Sequence, residues 1–470
     1  RLCGILWAKS RKKRGNGSME ETNSLARSRR MGEMPEGKLL LSMAVPMMLS
    51  MLVQALYNIV DSVYVAKVSE DCLSALSLAF PAQNILIGLA TGTGVGVSTM
   101  LSRALGSRDN KLANRVAGNS LFLCVCCWIV MAIFGIFFAD AFIHSQTDIE
   151  SIRSYGDSYL RIVTIGSVFV YFEINFERLL QSTGQTKLSM WAQIIGAVAN
   201  IILDYIFIGL CHFGPAGAAL GTTVSQAISV IVSLFVIVKR KTGISLKPSD
   251  FRPKRNVCGT ILKIGIPIAC QDGLIQIAFI IITIIANKRG LTDSAAVGIV
   301  EKVISFLFLV PSSMLSTVSA LGAQNIGAGK PERAKLTLRY AIFITAGFGL
   351  IVAIIIQFIA EPVVGLFTTD NGVILAGGQY LRGYIWDCMF AGIHFSFSGY
   401  FCACQKSILS FIHNIIAISL VRVPGVYLTS KLFSNTLFPM GLATATGSLL
   451  SVIICVIAFL ILTRKEKHIA

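Results

Sequence analysis

Ile342-Phe-Ile-Thr-Ala-Gly-Phe-Gly-Leu-Ile-Val-Ala-Ile-Ile-Ile-Gln-Phe-Ile359 contains no charged side chain. At 1.5 Å of rise per residue, roughly 20 such residues cross the roughly 30 Å hydrocarbon layer of a bilayer as one helix. Ile277 to Ala286 reads the same way, and similar runs recur along the chain. So many apolar runs cannot all be cores of soluble domains. The composition agrees. Only 14% of the 470 residues are charged and 54% are hydrophobic, against about 25% charged in soluble domains. The mean hydropathy is +0.71. The fold class is therefore an all-α polytopic membrane protein. About twelve transmembrane helices are expected, at 39–66, 72–101, 116–139, 158–180, 188–210, 214–238, 259–287, 293–321, 338–360, 379–403, 407–430 and 440–463.

The organisation follows from the interruptions. Residues 1–37 read as a basic cytoplasmic segment, partly non-native or disordered, with Met19 or Met31 as the biological start. Residues 38–238 form an N-lobe of six spans and 258–463 a C-lobe of six. Between them lies a basic linker, 239–257, containing Lys239, Arg240, Lys241, Lys247, Arg252, Lys254 and Arg255. Residues 464–470 are a short tail. The two lobes repeat. Pro46 pairs with Pro267, Gly106 with Gly327, Ala113 with Ala334 and Tyr159-Leu160-Arg161 with Tyr380-Leu381-Arg382, all at one offset of about 221 residues. Later, Gly217 pairs with Gly441 after a slip of about three. An even number of spans separates the copies, so they share an orientation. Parallel six-helix repeats are a transporter pattern, and alternating access is the mechanism such symmetry serves.

The net charge of +17 sits almost wholly between spans. No basic stripe interleaved with aromatics appears, so nucleic acid is not an expected partner. Alternate loops hold roughly thirty basic residues on one side and about five (Lys67, Arg153, Lys288, Arg289, Lys431) on the other, which places both termini and the linker in the cytoplasm. The expected location is a bacterial inner membrane. The 12 cysteines mostly fall inside apolar runs and form no disulfide or zinc framework. No GxSxG or HExxH motif occurs, so no enzyme and no cofactor are expected.

Acids inside spans are the informative residues, because a charge at mid-bilayer costs a few kcal/mol or more. Asp61 lies in Gln54-Ala-Leu-Tyr57-Asn58-Ile-Val-Asp61-Ser62, and Asp204 follows Asn200 by four residues, on one helix face. Thr222 in the next span adds a hydroxyl. A carboxylate, an amide and a hydroxyl are hard oxygen ligands, suited to Na⁺ or to a proton held in a network. The alternative is that these acids brace helix contacts. Glu173 lies deep in span four. Glu177 precedes Arg178 near the cytoplasmic edge, where an ion pair or a snorkelling side chain is expected. Asp272, Glu301, Asp387 and Arg422 are the second-half candidates, with Glu301 beside Lys302 as a local charge pair. His394 and His413 are open to proton chemistry or to plain packing. Gly88, Gly92 and Gly96 recur every four residues and make a smooth face for close helix approach.

Taken together, the sequence resembles the multidrug and toxic compound extrusion (MATE) family, in its DinF-like or MepA-like bacterial branch. The resembling stretches are Val45-Pro46, Gln54–Ser62, Ser102–Arg115, Gln181–Lys187, Asn200–Phe207, Gly217–Gln226 and Gly322–Gly327. The resemblance implies a V-shaped fold of two lobes around a central cavity. It implies export of organic, often cationic, compounds in exchange for Na⁺ or H⁺. Its N-lobe coupling site corresponds to Asp61, Asn200, Asp204 and Thr222, with no other metal site expected. The NorM-like branch relies on a glutamate in span seven, where this chain has Ile275; the departure favours coupling in the N-lobe. The expected cavity residues are Gln54, Tyr57, Asn58, Glu173, Asp272, Gln276, His394 and Arg422. The expected partners are a small organic substrate and the bilayer, and the expected state is a monomer. The alternative function is a flippase for lipid-linked sugars of the same superfamily, which would need more basic residues lining its cavity.

Overall fold

A computed structural model describes residues 34–239, 244 and 248–469. Most of the basic N-terminal segment and much of the linker lie outside the described residues.

Among the described residues the chain is helical throughout. In the first half, α1 is Glu36–Ala66, α2 Glu70–Gly106, α3 Asn110–Phe137, α4 Ala139–His144, α5 Glu150–Ser182, α6 Thr186–Asp204 and α7 Gly214–Lys239. In the second half, α8 is Arg255–Asn287, α9 Leu291–Leu307, α10 Leu309–Gly327, α11 Pro331–Gly365, α12 Asn371–Tyr384, α13 Trp386–Ala403, α14 Ile408–Ala417, α15 Val423–Leu432 and α16 Phe438–Ile469. Two π-helical segments, Tyr205–Leu210 and Ile418–Arg422, continue α6 and α14.

Eleven helical stretches are long and apolar enough to cross a membrane. The tenth expected span, 379–403, is helical as α12 and α13 but is not one of the eleven. The reason is burial. α13 packs against α10, α11 and α16, and Asp387, His394, Ser396 and Ser398 are buried on it. A helix sheathed by other helices does not need a lipid-like composition. Prolines mark the other breaks. α9 ends at Leu307, whose carbonyl Pro311 has no N–H to pair with. α11 leaves helical geometry at Ile359 (φ −120°, ψ 19°), just before Pro362.

Each half has its own apolar core: Val65, Leu86, Leu160 and Tyr171 in the first, Ile282, Val300, Tyr384 and Val426 in the second. The backbone also repeats. Left-handed residues end α2 and α10 at Arg108 (φ 58°) and Gly329 (φ 72°), and α5 and α13 near Gly184 (φ 73°) and Gln405 (φ 58°). Both pairs keep the offset of the sequence repeat.

The halves meet through α2, α8, α10 and α1. At the crossing of α2 and α10 the contact is reciprocal: a Cβ on Gly106 would lie 2.1 Å from the Gln324 carbonyl oxygen, and one on Gly327 would lie 2.2 Å from that of Arg103. Only glycine permits that approach. Gly92 and Gly96 pack likewise on the backbone of Gly265 and Ile261 in α8, whereas Gly88 has nothing within 4 Å of its Cβ position. The described hydrogen bonds between the halves join Thr99 to Ser319 (2.7 Å), Thr317 to Met47, Arg178 to Ser316, Arg333 to Met34 and Cys258 to Asn119. An ion pair joins Arg333 to Glu36 (3.0 Å). Asn119 at the same end holds the linker, donating to the carbonyls of Asp250 and Arg252 and accepting from the Lys254 N–H. These contacts cluster towards the end of the bundle where the basic loops gather. The halves are held together at that basic end.

Candidate functional site

The residues read as a coupling site converge. Asp61 comes from the middle of α1, Asn200 and Asp204 from one face of α6, and Thr222 from α7. All four are buried, Asn200 and Asp204 completely so. Thr222 Oγ1 donates to Asp61 Oδ2 at 3.2 Å, and Asp204 and Asn200 face the same carboxyl group. Asp204 has room because the next helix offers no side chain there. A Cβ on Gly221 would lie 2.3 Å from Asp204 Oδ1. Immediately after Asp204 the helix widens into its π segment, a feature that often marks functional sites.

The oxygens of this cluster are under-satisfied. Asp61 Oδ1, both carboxylate oxygens of Asp204 and the amide O and N of Asn200 are buried without a hydrogen-bond partner. Two carboxylates side by side, away from water, repel unless a proton or a cation lies between them. The donor set fits either one. It is all hard oxygen, which suits Na⁺, and it is arranged so that a proton could bridge the two acids.

Tyr159 also belongs here. It is buried close enough to Asp61 and Asp204 to feel both charges, and its hydroxyl donates to Gln83 Oε1 at 3.2 Å. Sequence reading used it only as a repeat landmark. Its conjunction with the acids depends on how α5 packs, and no local spacing reports that.

The residues read as cavity-lining fall into three neighbourhoods. The first adjoins the cluster of Asp61, Asn200, Asp204 and Thr222. Tyr57 lies one turn before Asp61, with Gln54, Gln226 and Glu173 around it. Glu173 is buried beside Ser229 and Glu177, and Asn58 is half-buried. The second lies at the seam: Asp272 is half-buried on α8, and Gln276 one turn on is exposed. The third is enclosed in the second half. Arg422 Nη2 donates to the Tyr384 hydroxyl (2.5 Å) and lies 3.6 Å from Asp387 Oδ2. His394 stacks near His413 with ring centroids 5.3 Å apart, and His413 Nε2 meets Ser398 Oγ at 2.9 Å. Both histidines and Arg422 are almost fully buried.

Of the two outcomes expected at Glu177 and Arg178 the charges stay together, and the expected Glu301–Lys302 pair is corrected. Arg178 does not snorkel. It is 3% exposed and its Nη1 donates to Gln181 (3.1 Å) and, across the seam, to Ser316 (2.9 Å). Arg178 stays in electrostatic reach of Glu177, and the Gln181 side chain that accepts from Arg178 also donates to Glu177 Oε1 at 2.8 Å. Glu301 does not pair with Lys302. Its Oε2 accepts from Thr283 at 3.2 Å, and it faces Arg422. Outside the spans, Arg153 makes two hydrogen bonds of 2.9 Å to Asp140 and holds that carboxyl below its ordinary range, outweighing a smaller effect of desolvation.

Known proteins resemble this chain in sequence and fold. The chain is 26% identical over 407 residues to the multidrug export protein MepA of Staphylococcus aureus (strain MRSA252), covering 86% of this chain and 89% of that protein. It is 24% identical over 356 residues to a probable multidrug resistance protein, YoeA, of Bacillus subtilis (strain 168), covering 74% and 77%. Among solved structures, a MATE crystallised with MaL6 superimposes with a TM-score of 0.85 at 25% identity, over 92% of this chain and 96% of that one. An outward-facing multidrug resistance MATE family transporter matches in fold with a TM-score of 0.88 over 93% and 98%. The MatE family model matches twice, at 46–206 and 267–428, once in each half and beginning at the two paired prolines. With more than half of its length matched, this multi-pass membrane protein belongs to the MatE family.

Proposed function

We propose that the chain is a cation-coupled antiporter that exports organic, often cationic, drugs or toxic compounds by alternating access, using Na⁺ or H⁺. The observation that carries the reading is the buried cluster of Asp61, Asn200, Asp204 and Thr222, with its five unpartnered polar atoms. Structural bracing would satisfy those atoms; a site that loads and unloads an ion or proton leaves them free to change partners. The basic end is the cytoplasmic end on the charge bias of the loops, so the conformation described above faces outward.

The cycle follows from differential affinity. With the halves parted at the cytoplasmic end, the acids are ion-free and the negative interior attracts a cationic substrate. After the halves rock to the outward-facing arrangement, an ion or proton enters, neutralises Asp61 and Asp204 and favours release. Coupling requires only that ion and substrate bind the two conformations with different affinities. Nothing favours the lipid-sugar flippase. Arg178 and Arg422, the buried cations, are engaged by partners within the chain.

The test is efflux of a fluorescent organic cation from proteoliposomes under a Na⁺ gradient and a pH gradient imposed separately. Export driven by one gradient supports the reading and identifies the ion. Absence of export under either, with inserted and folded protein, contradicts it.

A further inference from the structure

An ion that neutralises Asp61 and Asp204 has to leave again on the basic side. Between that cluster and the basic end, α5, α6 and α7 bury a continuous row of polar side chains. On α6, Ser189, Gln193, Gly196, Asn200 and Asp204 recur at helical spacing and share one buried face. On α7, Thr222, Ser225, Ser229 and Ser233 do the same. The two faces meet: a Cβ on Gly221 would lie 2.3 Å from Asp204 Oδ1, and one on Gly196 would lie 1.9 Å from Ser229 Oγ. Ser229 Oγ donates to the Ala192 carbonyl at 3.2 Å. On α5, Glu173, Glu177 and Gln181 stand one turn apart, Glu173 in hydrogen-bonding reach of Ser229 and Glu177 in that of Gln193. The way along α7 from Gly221 at Asp204 to Ser229 at Glu173 is roughly 12 Å, and Glu177 lies about 5.4 Å further on. Asn200 stands between, with its amide O and N buried without partners, as is Ser189 Oγ beyond Gln193. Carboxylates inside spans are costly and mark ion paths. The row ends in a chain that crosses to the second half. Gln181 Nε2 donates to Glu177 Oε1 (2.8 Å), and Arg178 Nη1 donates to Gln181 Oε1 (3.1 Å) and to Ser316 Oγ on α10 (2.9 Å).

We propose that this row is the exit path of the coupling ion, with Glu173 as its relay carboxylate rather than a substrate contact, and the Glu177–Gln181–Arg178–Ser316 chain as its gate. The inference rests on the export reading and deepens it. A proton leaving Asp61 or Asp204 is taken up by the Glu173 carboxylate, passes to that of Glu177 and is given to water at the basic end. Na⁺ steps between the same oxygens. While the halves are held together, Ser316 keeps Arg178 and Gln181 on Glu177, and the path is shut. When the halves part at that end, Ser316 moves off with the second half, Gln181 is free to turn away and the ion leaves. The ion thus departs inside the first half, while the substrate enters between the halves.

Transport by the purified full chain in proteoliposomes tests it, with tetraphenylphosphonium as the probe. Counterflow of the probe, exchanged across the membrane without an ion gradient, needs the substrate site but no net release of the ion. Gradient-driven efflux needs both. Glu173→Gln is expected to lower gradient-driven efflux about tenfold or more, within the range of typical coupling between sites, with counterflow unchanged. Glu173→Asp should restore much of the efflux. Gln181→Ala should let the coupling ion leak in the absence of the probe, several times faster than the parent does. A Glu173→Gln protein that keeps full gradient-driven efflux overturns the proposal. Loss of counterflow together with efflux overturns it equally, because Glu173 then serves the substrate site or the fold. Should Glu173→Gln fail to fold, Gln181→Ala still decides, since a variant as tight to the ion as the parent overturns the gated path. A parent that shows counterflow and gradient-driven efflux beside an unaffected Glu173→Gln refutes only the path. A parent that shows neither refutes the export reading itself.

Discussion

Replacing Gly106 by alanine should tilt the chain away from the conformation closed at the basic end. The added Cβ would sit 2.1 Å from the Gln324 carbonyl oxygen and 2.9 Å from its carbon, where real Cβ contacts do not come within 3.0 Å. The obstruction is backbone, so no side chain can swing aside; the two helices must separate by roughly 1 Å, an overpacking that costs about 1–3 kcal/mol. The conformation with the halves parted at this end lacks the contact and bears none of the cost. The whole penalty therefore shifts the equilibrium, by roughly 5- to 150-fold. Gly327→Ala, which would place its Cβ 2.2 Å from the Arg103 carbonyl oxygen, should act in the same direction and to a similar extent. Gly88→Ala, with nothing within 4 Å, is the control. Pulsed dipolar spectroscopy between spin labels at Lys111→Cys and Glu332→Cys reads the separation of the two ends, with the exposed Cys211 and Cys270 replaced by serine. The short-distance population should fall in both glycine variants and persist in the control. Unchanged distance distributions in well-folded Gly106→Ala and Gly327→Ala would refute the claim that this crossing closes the basic end.

Other consequences are smaller in scope. Gly221→Ala would push a methyl to within 2.3 Å of Asp204 Oδ1, so ion-driven efflux should fall sharply although every carboxylate remains, as transport assays can check. The left-handed positions should respond in mirrored fashion: Arg108→Gly and Gln405→Gly each raise stability by about 1 kcal/mol, and Gly184→Ala and Gly329→Ala each lower it by about the same amount, in thermal unfolding. The Asp140 carboxyl is held below its ordinary range by Arg153. Its folded pKa is depressed, so its contribution is present above the unfolded value of about 3.9 and is lost as pH falls through the lowered one. The stability gap between the parent and Asp140→Asn should therefore exist at neutral pH and close only in acid.

Much of the fold is legible in the sequence because lipid imposes a coarse rule on composition. Runs such as Ile342 to Ile359 cannot be read otherwise, and the constant offset from Pro46 and Pro267 onward exposes the repeat. The tenth span is harder because α13 is sheathed by helices and carries Asp387, His394 and several serines. The residues proposed for coupling are legible for a complementary reason: Asp61 and Asp204 are costly where they stand, and their helix faces follow from spacing. What sequence does not carry is rotation and packing. Arg178 reads as half of an ion pair or a snorkelling residue beside a loop, and only the packing of α5 turns it onto the seam. Tyr159 meets the acids through the same helix. Gly221 matters because it lacks a side chain opposite Asp204, a relation between two helices that no single-helix pattern encodes. The π segments that follow Asp204 and end at Arg422 likewise leave no local signature in residue type.

The most direct test of the central claim is ion-driven efflux of a fluorescent organic cation by the parent, Asp61→Asn and Asp204→Asn, side by side in proteoliposomes under separate Na⁺ and pH gradients. The account predicts export by the parent under one of the gradients and its loss in both variants, while each remains folded and inserted. Full gradient-driven export by either variant would contradict the assignment of the buried acid pair as the coupling site.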